Sequence, residues 1–256
     1  MKGRVLIVAG SDSGGGAGIQ ADIKAVTALH GFAMTAVTAL TAQNTLGVHD
    51  VHPVDTGFIQ TQMHVVLSDL GADSLKTGML HSSAVIEAVC EVAETEASGI
   101  PLVVDPVMIS SSGTPLLKPS AAAALARRLL PLARLVTPNL DEAATLAKQP
   151  VREPEAMREA ARAIHERFGC AVLVKGGHLK TTEAIDLFYD GREEFLLSAP
   201  RVRGVSPPGT GCTYSAAITA FLAKGEPLPK AVERAKQHMA EAISAVYRAG
   251  KHRFLG

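Results

Sequence analysis

Residues 5–9 read Val-Leu-Ile-Val-Ala, an apolar run without the polar alternation of a half-buried strand, and the run ends at Gly10. A strand with no polar face must be covered on both faces, which points to a parallel sheet between two helical layers. The same unit recurs along the chain. Short apolar or β-branched runs predict strands over 35–40, 48–54, 74–76, 102–104, 135–136, 171–174, 184–189 and 193–198. Helical spacing of apolar residues predicts helices over 17–30, 58–70, 82–97, 119–130, 139–147, 154–168, 212–223 and 228–249. Asp190-Gly191 between the last two strands is a hairpin signal. This alternation specifies an α/β fold with a mostly parallel sheet and helices on both faces. No repeat, low-complexity tract or linker interrupts the 256 residues, so one domain over 1–256 is expected.

Composition narrows the function classes. Twenty-five Lys and Arg balance 25 Asp and Glu, leaving no general field for nucleic acid or an anionic membrane surface. Aromatics are 4% with no Trp, which argues against a base-stacking platform. No run approaches the roughly 18 apolar residues of a membrane span. The first apolar run is too short for a signal-peptide core and reads as a buried strand. Three scattered cysteines, Cys90, Cys170 and Cys212, form neither a disulfide framework nor a zinc motif, and the cytoplasm is the expected compartment.

Polar and glycine residues gather just after strand ends: Gly10-Ser11-Asp12, Gly78-Met79, Asp105-Pro106, Thr137-Pro138-Asn139 and Lys175-Gly176-Gly177. Ligands of open parallel sheets bind at that edge. Gly14-Gly15-Gly16-Ala17-Gly18 lets backbone approach a ligand closely. It lacks the lysine of a P-loop, and Ile19 stands where a dinucleotide fingerprint needs its third glycine, which disfavours a dinucleotide oxidoreductase. Asp22 shares the apolar side of its helix with Ile19 and Val26, so a partner or a ligand must satisfy it, unless it only complements the helix N-terminus at the rim. Asn139 and Glu142 match a capping box. With Asp105 they also suit Mg²⁺, which takes one or two carboxylates, waters and phosphate oxygens. Lys175 is either a phosphate partner or an exposed lysine. Gly209-Thr210-Gly211-Cys212-Thr213 precedes a helix that is apolar nearly all round. A buried N-terminus of that kind offers free N–H groups to an anion, and the same position is expected to lower the Cys212 thiol pKa. Cys90 and Cys170 read as core residues, and His178 as structural or peripheral.

The segments GSDSGGGAGIQAD, TALTAQNTLGV, KTGML, VVDPVM, TPNLDEA, VKGGH and GTGCTYSAA occur in this order. Over residues 4–223 the chain thereby resembles the hydroxymethylpyrimidine and phosphomethylpyrimidine kinases of the ribokinase-like family. The resemblance implies a three-layer αβα fold, ATP and Mg²⁺, and a homodimer. The implied reaction is phosphorylation of 4-amino-5-hydroxymethyl-2-methylpyrimidine, then of its monophosphate to the diphosphate, in thiamine biosynthesis. It also implies a pyrimidine pocket at Gly10, Asp22, Gln43 and Met79, and an anion hole at Gly209, Thr210 and Gly211. Cys212 would be the base, in place of the aspartate of related sugar kinases. Asp105 and Glu142 would lie at the metal, with Asn139 and Lys175 at the ATP-phosphate end. Val205-Ser206-Pro207-Pro208 departs from the polar run frequent in the family, as does the ending AGKHRFLG. Pyridoxal or pyridoxine kinase is the alternative within the fold. A non-catalytic pyrimidine-binding regulator is a further one, against which Cys212, Asp105 and Glu142 argue.

Overall fold

The computed structural model describes residues 3–109, 116–177, 179, 181–202, 207–249 and 252–255. His178, and Val205 and Ser206 of the divergent stretch, lie outside the described residues. The chain runs β1 (Arg4–Asp12), α1 (Gly18–Ala28), β2 (Phe32–Asn44), β3 (Gly47–Pro53), α2 (Thr56–Asp69), β4 (Ser74–Thr77), α3 (Ser83–Glu96), β5 (Leu102–Val104) and α4 (Pro119–Ala124). It continues with β6 (Leu135–Val136), α5 (Leu140–Ala147), α6 (Pro154–Phe168), β7 (Ala171–Lys175), β8 (Glu183–Tyr189), β9 (Glu194–Pro200), α7 (Thr210–Ala223), α8 (Leu228–Ser244), β10 (Tyr247–Ala249) and β11 (His252–Phe254).

Nine strands form one sheet in the order β3-β2-β1-β4-β5-β6-β7-β8-β9. The six from β2 to β7 pair in parallel, and β3, β8 and β9 add antiparallel edges. Leu6 and Val8 of β1 join the core under α2 to α6, whereas Val5, Ile7 and Ala9 pack beneath α1 and α7. Side chains alternate across a strand, so covering both faces requires the unbroken apolar run seen in the sequence. The chain leaves β1 for β2 and β3, then returns to β4 on the other side of β1. The crevice beyond the C-terminal ends of β1 and β4 is therefore the topological switch point, where such sheets bind ligands.

Three segments differ from the sequence expectation, the first being β2, which runs over 32–44 rather than 35–40 because β1 and β3 pair with its two ends. The single helix expected over 119–130 stays α-helical only to Ala124, widens into a π turn at Leu125–Leu129 and tightens into a 3-10 turn at Leu130–Leu132. Pro131 has no N–H to close the next α turn, which forces the winding to change. The helix expected to reach 249 ends at Ser244, and β10 pairs antiparallel with β11 instead. Phe254 and Leu255 are buried there, and Leu255 joins the α7–α8 core. Apolar burial of this segment outweighs its helical propensity. Among the described residues no helix is long and apolar enough to cross a membrane.

Candidate active site

Period-two alternation also builds the site. Val103 and Asp105, Leu135 and Thr137, Leu173 and Lys175, and Ser74 and Lys76 are pairs two residues apart, at the ends of adjacent strands. The first member of each packs toward α7: Val103, Leu135 and Leu173 share a core with it, and Ser74 Oγ donates to the Thr219 carbonyl at 2.9 Å. The second members therefore line up along the sheet edge on the α7 side. Lys175 Nζ donates to Asp105 Oδ1 at 2.8 Å, and Thr137 Oγ1 donates to the same oxygen at 3.2 Å. Ser215 Oγ of α7 donates to Asp105 Oδ2 at 3.3 Å. Burial pushes the Asp105 carboxyl up, but Lys175 and Lys76 more than offset this and hold it below the usual carboxylate range. Lys175 in turn is held above its ordinary value, because Asp105 and Glu142 outweigh its own burial.

The start of α7 lies on this row. Gly209, its N-cap, has φ +75°, and a Cβ there would collide with the Gly16 carbonyl oxygen. Only glycine meets both demands. A Cβ on Gly211 would stand 3.1 Å from Lys175 Nζ, so the bare backbone gives access to that ammonium group. Thr210 Oγ1 donates to the Pro207 carbonyl at 2.7 Å and fixes the turn. The first N–H groups of a helix lack intrahelical acceptors, which leaves the N-terminus of α7 open to an anion beside Lys175.

Cys212 is partly exposed at this helix start. Burial lifts its thiol to about 11, although Lys76 pulls the other way. This corrects the expectation of a depressed pKa: desolvation and the carboxylates of Asp22 and Asp105 outweigh Lys76 and the Gly18 N–H. Cys90 and Cys170 are buried, as expected of core cysteines, and burial pushes both to about 12.

The contacts around the ends of β1 and β4 are equally specific. The Met79 methyl covers Gly10, where a Cβ would come within 2.6 Å of it, and Thr38 Oγ1 anchors the Met79 carbonyl at 2.7 Å. Gln43 is half-buried; its Oε1 accepts from Thr41 Oγ1 at 3.2 Å. Its backbone N–H donates to Ser13 Oγ at 2.8 Å, and that hydroxyl donates back to the Gln43 carbonyl at 2.9 Å. The strand end is thereby tied to the glycine loop. Asp22 is fully buried, and Lys76 Nζ donates to both its oxygens at 2.9 and 2.8 Å. Its carboxylate thus faces Lys76 rather than open space. Burial raises it to about 6, so at neutral pH the pair is mostly ionised.

Two further carboxylates organise the loops. Asp12 accepts from the backbone N–H groups of Gly14, Gly16 and Ala17 at 2.8, 2.9 and 2.8 Å. Those N–H groups hold the loop together and are not offered to a phosphate. Glu142 completes the capping box: Asn139 Oδ1 accepts from the Glu142 N–H, and Glu142 Oε2 accepts from the Asn139 N–H, both at 2.9 Å. Its Oε1 accepts from the Met108 N–H at 3.0 Å. Burial raises its pKa.

Sequence reasoning named the glycines and Cys212, and placed Asp12 and Thr137 at the ligand edge without a role for either, but missed Lys76. The signal for Lys76 was a lysine inside a short strand at the ligand edge; only a buried carboxylate partner makes such a lysine tolerable.

The phosphomethylpyrimidine kinase family matches residues 12–255. A hydroxymethylpyrimidine/phosphomethylpyrimidine kinase of Rhizobium meliloti is 49% identical over 244 residues, covering 95% of this chain and 91% of that protein. The thiamine biosynthesis bifunctional protein ThiED of Geobacter sulfurreducens is 46% identical over 242 residues, covering 94% of this chain; the chain spans about half, 49%, of that longer protein. Among solved structures, an ADP complex of Bacillus subtilis pyridoxal kinase superposes with a TM-score of 0.90 at 35% identity, covering 100% of this chain and 97% of that one. With nearly its whole length matched, and with the glycines, Cys212 and the Asp105–Lys175 pair brought to one sheet edge, the chain belongs to the phosphomethylpyrimidine kinase family.

Proposed function

We propose that this chain is the ATP-dependent kinase that phosphorylates 4-amino-5-hydroxymethyl-2-methylpyrimidine and then its monophosphate, in thiamine biosynthesis. The observation that carries the reading is the open N-terminus of α7 above Lys175, with Cys212 beside it. Phosphoryl transfer needs positioning and charge stabilisation more than covalent chemistry, and these groups supply both. Gly10 and Met79 form an apolar floor for the ring, and Gln43 offers a donor and an acceptor to its edge. The N–H groups of Thr210, Gly211 and Cys212 receive the transferred phosphoryl group, and the Lys175 ammonium holds the phosphates of the nucleotide. Cys212 accepts the hydroxymethyl proton. Asn139 stands at the nucleotide end, where its side chain holds the start of α5. Measuring ADP release with the pyrimidine alcohol, with its monophosphate and with pyridoxal tests the assignment; turnover of pyridoxal alone would overturn it. The close match to a pyridoxal kinase structure favours that activity as the second reading.

The donor set fits Mg²⁺. Asp105 Oδ2 accepts a single long bond, and each Glu142 oxygen spends one lone pair on a backbone N–H. Such groups suit an ion that keeps most of its waters and phosphate oxygens, with Asp105 holding it and Glu142 acting through water. When bound, the ion would neutralise phosphate charge. Glu142→Gln is expected to raise the Mg²⁺ concentration for half-maximal rate severalfold; an unchanged metal titration leaves Glu142 as a helix cap only.

Gln43→Ala is expected to weaken binding of the pyrimidine alcohol by about 1–3 kcal/mol. Calorimetry with that alcohol checks it, and parental affinity would place Gln43 outside the pocket. The same proposal includes one kinase domain over 1–256, a cytoplasmic location, which free cysteines suit, and a homodimer. Leu40, Leu46 and Phe58 are exposed apolar residues on β2, its hairpin and α2 that such a dimer could cover.

A further inference from the structure

We propose that the buried Asp186–Lys236 pair is a positioning device for the phosphate-binding turn after β7; this rests on reading Lys175 as a phosphate residue. Asp186 on β8 stands directly across from Lys175 on β7. It is only 4% exposed, and its two oxygens are divided between two tasks. Oδ1 accepts from the Gly176 N–H at 3.0 Å, and Oδ2 accepts from Lys236 Nζ of α8 at 2.7 Å. Lys236, also buried, donates a second bond to the Ala184 carbonyl at 2.8 Å. The Tyr214 hydroxyl, two residues beyond Cys212 on α7, is buried and faces the same carboxylate. One side chain therefore borders the Lys175 turn, the helix that carries the anion hole, and α8.

The placement accounts for a charge in the core. A buried ion pair is weak support for stability, since apolar residues of similar volume do as well. A carboxylate does give a backbone N–H a stronger acceptor than a neutral group. The N–H it holds belongs to the peptide joining Lys175 to Gly176, so the bond fixes the orientation of that peptide plane. Packing reinforces it: a Cβ on Gly176 would collide with the Ile185 carbonyl oxygen. Lys175 then leaves the sheet in the direction that brings its ammonium to Asp105 at 2.8 Å and under Gly211. Lys236 gives Asp186 a counter-ion and aims it without entering the site.

The test compares two double variants that both remove the charge pair. Asp186→Asn/Lys236→Met keeps an oxygen for the Gly176 N–H, and Asp186→Leu/Lys236→Met keeps the shape without an acceptor. Michaelis constants for ATP and for the pyrimidine alcohol are measured for each, with ADP affinity by calorimetry and the thermal midpoint. The Leu pair is expected to raise the ATP KM and the ADP dissociation constant about tenfold, the worth of one hydrogen bond to a buried donor, with the pyrimidine KM within twofold. The Asn pair is expected to restore both nucleotide constants to within threefold of the parent. Equal nucleotide constants for the two pairs, or ATP and pyrimidine constants rising together, would overturn the proposal. Should the Leu pair fail to fold, Asp186→Ala/Lys236→Met takes its place under the same criteria. Lys175→Ala separates the premise. If it leaves ADP affinity unmoved, the phosphate role of Lys175 falls and the proposal with it. If it weakens ADP while the two pairs coincide, only the positioning role falls.

Discussion

Cys212→Ser is expected to lower kcat by about 10²–10⁴, or roughly 3–5.5 kcal/mol of transition-state stabilisation, with nucleotide affinity nearly unchanged. The anion hole is backbone, so the substitution leaves the N–H groups at Gly209–Thr213 in place. What changes is the proton acceptor, since a serine hydroxyl is a far weaker acid than a thiol. The thiol near 11 sharpens the expectation. Roughly one molecule in ten thousand carries the thiolate at pH 7, and that fraction rises tenfold per pH unit below the pKa. The rate limited by proton acceptance should therefore climb with pH from 7 toward 10, and alkylation of Cys212 by iodoacetamide should climb in parallel. Cys212→Asp should recover part of the activity and lose the alkaline climb, because a carboxylate is already ionised at neutral pH. A serine variant with parental kcat at pH 7 and an intact fold would reduce Cys212 to a small residue that fits the helix start.

Lys76→Met is expected to cost about 3–5 kcal/mol of folding stability. Lys76 and Asp22 are both fully buried, and each is the other's counter-ion. Removing the lysine strands a carboxylate in the core, and Asp22→Asn alone strands an ammonium group with the same consequence. Asp22→Asn/Lys76→Met should regain most of the loss, since no buried charge remains. Urea unfolding midpoints of the two single variants and the double decide it. Strict additivity would mean that the two groups do not act as a pair.

The sheet, its helical layers and the ligand edge were legible because each rests on local pattern. The β5 and β6 runs could be read to the residue, and the Asn139–Glu142 spacing announced a capping box that the structure forms in full. What local pattern does not carry is partnership across the sheet. Lys76 meets Asp22 and Lys236 meets Asp186 over 54 and 50 residues, so neither pairing has a signature in any window of sequence. The same holds for the thiol of Cys212: a helix terminus is visible in the sequence, but the burial and the carboxylates that raise the thiol come from strands and helices brought in from elsewhere. The end of α8 was misread because Phe254 and Leu255 find burial against distant parts of the chain, and propensity is blind to that.

The position of α7 has a consequence for synthesis on the ribosome. β1 and the first helices emerge early, yet Val5, Ile7, Val103 and Leu135 pack beneath a helix that is finished only at residue 223. α1 covers part of β1 early, but at translation speeds of about 5–20 residues per second Val103 and Leu135 wait on the order of 5–20 seconds for α7. During that interval the nascent chain presents a flat apolar surface. A pulse of synthesis without chaperones should therefore lose material to aggregation before α7 appears, and the loss should cease once the helix has left the exit tunnel.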